Sequence, residues 1–138
     1  FKIKKSNNHV YFQGTNGLNG NNILCRSDGT AAGTVALRAV SVSDVDHSII
    51  NDGFSFQNAF YFQGVTDYGA TYGAELWRSD GTAAGTQMLR DINPGQQSGD
   101  PHCFSLADDG TLFFFANRAD VGQELWRSNG TAAGTVLV

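Results

Sequence analysis

Two short runs carry the side chains best suited to chemistry: Glu75-Leu76-Trp77-Arg78 and Glu124-Leu125-Trp126-Arg127. A tryptophan face stacks on a sugar ring, and a carboxylate with a guanidinium can take paired hydroxyls. The same three residue types also make a packing unit, with Trp between sheets and Glu and Arg paired across them. Losing a core Trp costs roughly 3–5 kcal/mol, so burial alone would justify the repetition. A second polar and aromatic group lies just upstream: Asn16, Asn19, Asn21 and Asn22, then Asp67, Tyr68 and Tyr72, then Arg118 and Asp120. These segments differ from one another, and variable loops on a rigid frame are where binding usually lives. Their residue types offer amphipathic area and adaptable hydrogen bonds, which suit hydroxyl-rich ligands.

The elements that must position these residues come from a repeated phrase. Residues 24–35 read LCRSDGTAAGTV, 76–87 read LWRSDGTAAGTQ and 125–136 read LWRSNGTAAGTV. The phrase recurs at a period of about 50 residues, that of one supersecondary unit used repeatedly. Upstream of it stand Val10–Gly14, Phe60–Gly64 and Leu112–Ala116, and before those Phe1–Ile3, Phe54–Phe56 and Phe104–Leu106. Downstream come Val35–Arg38, Gln87–Arg90 and Val136–Val138. Each unit thus holds four short β-prone runs separated by Gly, Asn and Asp turns, and none has helical periodicity. Alternation turns Glu75, Trp77 and Ser79 one way and Leu76 and Arg78 the other. Large apolar groups on both faces mean that both faces of each sheet are covered. The expected fold is all-β, a β-propeller of three four-stranded blades at 1–43, 44–92 and 93–138. The linker 93–102 reads as a run of breakers with no core residue.

The repeat resembles the E-L-W-x-x-D-G-T-x-x-G-T proteins, large secreted or surface proteins mostly of bacteria. Residues 75–86 match that pattern fully, and 124–135 match with Asn129 in place of Asp. The first unit departs, with Ile23 and Cys25 where the pattern has Glu and Trp. The resemblance implies a propeller-like repeat and an extracellular setting. It implies no activity, because that family has no single agreed one. Small propeller lectins place the same trio of residue types between blades, although they lack this motif.

Three blades alone would leave two outer sheet faces bare, and propellers have about four to eight blades. Two copies closing a six-bladed ring as a homodimer would cover them, as would further repeats in a longer chain. Composition narrows the function classes. The net charge of −4 disfavours nucleic acid, which needs a basic surface. No apolar run is long enough to span a membrane as a helix. Phe1 opens directly on a strand-like segment, as it would after removal of a leader or in a trimmed piece of a longer chain. Asn129-Gly130-Thr131 is a formal glycosylation sequon that first reads as a turn. The two cysteines, Cys25 and Cys103, are too few for a disulfide scaffold and match no zinc spacing.

The DG turns hold too few carboxylates for a calcium loop, and His47 and His102 fit no metal spacing. Nothing resembles a nucleophile elbow or phosphate loop, so no enzyme activity and no cofactor or metal are expected. The leading expectation is a secreted carbohydrate-binding protein, a lectin with repeated shallow sites and glycans as partners. Its sites would use Asp67, Tyr68, Tyr72, Asn19, Asn22, Arg118 and Asp120, or Glu75, Trp77, Arg78, Glu124, Trp126 and Arg127. The alternative is a structural or adhesion scaffold, or a fragment of a longer repeat protein.

Overall fold

The structure, a computed structural model, describes residues 3–15, 22–38, 53–65 and 72–138. All regular elements in it are strands: β1 (Ile3–Ser6), β2 (His9–Thr15), β3 (Asn22–Ser27), β4 (Val35–Arg38), β5 (Phe54–Phe56), β6 (Ala59–Gly64), β7 (Glu75–Ser79), β8 (Gln87–Arg90), β9 (His102–Leu106), β10 (Leu112–Arg118), β11 (Gly122–Ser128) and β12 (Val136–Leu137). They form three four-stranded antiparallel sheets, each in chain order. The protein is therefore all-β, and the described residues include no helix.

The repeated phrase folds the same way each time. In the second sheet, Asp80 Oδ1 accepts the Thr82 amide at 2.9 Å and the Thr82 hydroxyl at 2.7 Å. Thr82 Oγ1 in turn accepts the Gly85 amide at 2.9 Å. Thr86 Oγ1 donates to the Thr82 carbonyl at 2.6 Å and lies 2.7 Å from Ser79 Oγ. Every polar letter of S-D-G-T-x-x-G-T is thus used inside its own turn. Gly81 has φ 92°, where a side chain would be strained. A Cβ on Gly85 would overlap the Asp80 carboxyl. Asn129 reproduces the Asp role with its own Oδ1, accepting Thr131 N at 3.1 Å and Thr131 Oγ1 at 2.7 Å. The acceptor oxygen, not the charge, is what the turn requires.

The sheets stack face to face. Tyr11, Leu24 and Leu37 of the first pack on Phe60, Phe62 and Trp77 of the second. The Tyr11 and Phe60 rings stack with centroids 4.5 Å apart. The opposite face of the second sheet, through Tyr61 and Leu76, packs on Leu112, Phe114, Ala116 and Trp126 of the third. Alternating side chains let β6 and β7 serve both interfaces at once, which is why the middle sheet holds the most deeply buried aromatics. The end sheets carry bare apolar groups: Ile3 is 66% exposed, Phe115 42% and Val138 69%.

The 93–102 linker differs from its sequence reading. Asn93, Gly99 and Pro101 are buried, and the segment is bonded to both sheets it joins. Gly99 N and Asp100 N donate to the Ala74 carbonyl at 2.9 and 3.0 Å, and Gly99 O accepts from Asn117 N at 2.6 Å. Breaker residues here make a packed corner, because their backbone groups find partners on neighbouring strands.

Candidate functional site

The Glu–Trp–Arg runs do not form a sugar-stacking surface. Trp77 is 1% exposed and Trp126 2%, both facing an inter-sheet core. Their positions on β7 and β11 pair them with Phe62 and Phe114, so their ring faces meet protein. Arg78 lies partly buried beside Tyr61, whose hydroxyl it hydrogen-bonds. Arg127 and Glu124 are exposed on the third sheet. Strand alternation separates each Trp from its Arg, whereas Glu75 shares the buried side of Trp77 and Glu124, on the side of Trp126, is exposed.

Glu75 has a different role from either reading of the sequence. Its carboxylate is fully buried and takes backbone amides, not an arginine. Oε2 accepts Ile92 N at 2.7 Å and Asn93 N at 3.4 Å, and Oε1 accepts Gly99 N at 2.9 Å. The side chain therefore clamps both ends of the corner after β8. A Cβ on Gly99 would sit 2.6 Å from Oε2, so the close approach depends on glycine. Burial, only partly offset by the amides, pushes the carboxyl up from 4.5 to about 7.

The corner that Glu75 holds forms one wall of a hollow of about 360 Å³ between the second and third sheets. Arg90 at the end of β8 and residues 91–94 line one side, and residues 118–120 of the β10–β11 turn line the other. Trp126 also lines it. Asn93 ties the two walls together: its Oδ1 accepts Ala119 N at 3.0 Å while its Nδ2 donates to Ser98 O at 3.1 Å. Arg118 and Asp120 form a bidentate pair at the rim, Nε to Oδ1 at 2.6 Å and Nη2 to Oδ2 at 2.5 Å. The pair holds Asp120 below the usual carboxylate range.

Two buried polar atoms among the hollow's residues have no hydrogen-bond partner: Trp126 Nε1, a donor, and Asp91 Oδ1, an acceptor. Burial raises the Asp91 carboxyl, and the Arg90 charge opposes that rise. Unsatisfied buried polar atoms cost about 1–3 kcal/mol each, so their presence beside a hollow marks a place where a ligand can supply the missing bonds. The lining has two arginines and two aspartates, so the wall is balanced in charge.

Three residues expected from sequence meet at this hollow: Arg118, Asp120 and Trp126. Tyr72 is 38% exposed beside Gly73 and is not part of the lining. Asn19, Asp67 and Tyr68 lie outside the described residues, as does the side chain of Asn22, whose backbone opens β3 opposite Thr15. Arg90, Asp91 and Asn93 were missed. The available signal was Asp91, which follows Arg90 where the equivalent Arg38 is followed by Ala39. Among the described residues, no group of three His, Cys, Asp or Glu side chains is placed to hold a metal. Cys25 is buried and Cys103 exposed, and both are free thiols.

No family model, no curated protein and no solved structure matches the chain.

Proposed function

We propose that this chain is a carbohydrate-binding module on a β-propeller-type frame, and that the hollow between its second and third sheets is the sugar site. The observation carrying this reading is that two residues lining one hollow of about 360 Å³ each hold a buried atom without a hydrogen-bond partner, the donor Trp126 Nε1 and the acceptor Asp91 Oδ1. A hydroxyl both accepts and donates, so adjacent ring hydroxyls answer both atoms with one functional group. The balanced wall favours a neutral sugar over a phosphorylated or sulfated one, which would meet Asp91 and Asp120 as well as the arginines. The volume lies within the range of about 300–1,000 Å³ common to small-ligand pockets. Recognition is by ring edge and hydroxyl, because the Trp face is packed against Phe114.

The ligand is bound and not transformed in this reading, and the setting is extracellular, as the resemblance to E-L-W-x-x-D-G-T proteins implies. A glycan array probed with the wild type and with Trp126→Phe tests it. Binding to neutral glycans that weakens in the variant supports the reading, and a blank array at high protein concentration removes it.

A second reading, a structural scaffold, is favoured by the bare apolar groups on both end sheets. In that case the same array is blank and the module's role lies in what its end faces join.

A further inference from the structure

The inter-sheet contacts repeat a common pattern. In the first joint, Arg26 donates its Nε to the carbonyl of Gly81, and a Cβ on Gly81 would lie 3.2 Å from Tyr11 Oη. In the second joint, a Cβ on Gly130 would lie 2.9 Å from Tyr61 Oη, but Arg78 Nε is buried without a hydrogen-bond partner. The aromatic cover recurs, while the Nε grip belongs to the first joint, whose turn carries Asp80 and not Asn129. An aromatic of the second strand of one sheet therefore covers the positive-φ glycine in the turn of the next sheet. Register identifies the third sheet's equivalents: Phe113 pairs with Arg127 as Tyr11 pairs with Arg26 and Tyr61 with Arg78. Arg127 is exposed and Phe113 half-buried. At the other end, Gly29 has φ 93° and nothing within 4 Å of where a Cβ would stand. A hollow of about 420 Å³ opens there, between the β1–β2 turn and Asp28-Gly29. The chain thus carries one unfilled half of the joint at each end.

The occupant follows from the sequence of the seat. The turn that Arg26 grips, SDGTAAGT at 79–86, is repeated letter for letter at 27–34. Whatever seats an arginine of this repeat on the second sheet is present again, uncovered, on the first. We propose that a second copy of this chain fills both ends: Arg127 of each copy donates to the Gly29 carbonyl of the other, with Phe113 over that glycine. Two identical head-to-tail contacts then close a symmetrical pair of six sheets. Val138, bare here, holds the place that Leu37 and Leu89 hold in the internal joints, where both pack against the core. Closure would cover it in the same way. Phe113 is the one departure, since it lacks the hydroxyl through which Tyr11 bonds Ser79.

The inference rests on the propeller-type frame but not on sugar binding, which uses a different face. Light scattering across a concentration series tests it, on the wild type, Arg127→Glu and Phe113→Tyr. Both positions lie on an end face, so circular dichroism should report all three as equally folded. The expected result is a species of twice the 14.8 kDa chain mass in the wild type. Arg127→Glu should be monomeric, and Phe113→Tyr should dissociate about thirty-fold less readily, the worth of two added hydrogen bonds, one at each contact. A monomeric wild type overturns the joint and leaves the frame standing. A ladder of higher species overturns the closed pair and the six-sheet frame together. A dimer indifferent to both substitutions overturns the assigned faces.

Discussion

Glu75→Gln probes the corner on which the hollow depends. The Glu75 carboxyl titrates near about 7 in the folded chain against 4.5 as its ordinary value. Between those values the folded chain holds a proton that the unfolded chain has released. Stability from this group is therefore fully present below 4.5 and is lost as pH rises through about 7. At about 1.36 kcal/mol per unit, the difference amounts to about 3 kcal/mol, or roughly 10 °C in Tm for a domain of this size. Glutamine cannot ionise, so its variant loses that slope. It also has one acceptor oxygen where the carboxyl has two, and Ile92 N and Gly99 N sit on different oxygens. With the glutamine oxygen kept on Ile92 N, its NH2 group faces Gly99 N, which retains the Ala74 carbonyl as acceptor. This donor–donor mismatch costs about 1 kcal/mol, the low end for a disrupted buried bond. The variant should be clearly the less stable near pH 5, and the gap should close or invert near pH 8. Thermal unfolding followed by circular dichroism across that interval reads the difference directly. Parallel curves, or a wild type that gains on the variant as pH rises, would refute the reasoning.

Further outcomes follow from the turns and the core. Asp80→Asn should change stability little at neutral pH, because Asn129 already performs the task in the third turn, whereas Asp80→Ala should cost about 1 kcal/mol in denaturant unfolding. The Thr82 amide and hydroxyl hold the Asp80 carboxyl below its ordinary 3.8, so its contribution is present above that value and is lost on acidification below it; the Asn variant should not show that loss. Phe60→Ala removes a fully buried ring stacked on Tyr11 and should cost roughly 3–5 kcal/mol, measured as a fall in denaturation midpoint. Gly99→Ala forces a methyl against the Glu75 carboxylate and should lower Tm, while Gly95→Ala, at φ 100° in open space, should lower it only by backbone strain.

Most of the frame was legible because it is written in periodicities. The alternation of Phe60-Tyr61-Phe62 announced two covered faces, and both are filled, by Tyr11 on one side and Phe114 on the other. The S-D-G-T-x-x-G-T turns were readable because their bonds are local, spanning a few residues each. Strand ends were less so: β9 begins at His102, not Phe104, because Phe115 pairs back to His102 across a bulge. The site was only half readable. Arg118, Asp120 and Trp126 stood out by type, but their meeting with Asp91 and Asn93 depends on how the corner after β8 folds onto the third sheet. That corner was read as an empty linker because proline and glycine punctuate it. Glu75 was read as a partner for arginine or sugar because side-chain type does not reveal backbone amides brought in from residues 17 to 24 positions away.

The central claim is that the hollow between the second and third sheets takes a neutral sugar through Asp91 and Trp126. Calorimetric titration of neutral mono- and oligosaccharides into the wild type and Asp91→Ala tests it most directly. The account predicts saturable binding to the wild type that weakens about ten-fold or more in the variant, the cost of one charged hydrogen bond. Equal affinities, or no saturable heat with any sugar, would contradict it.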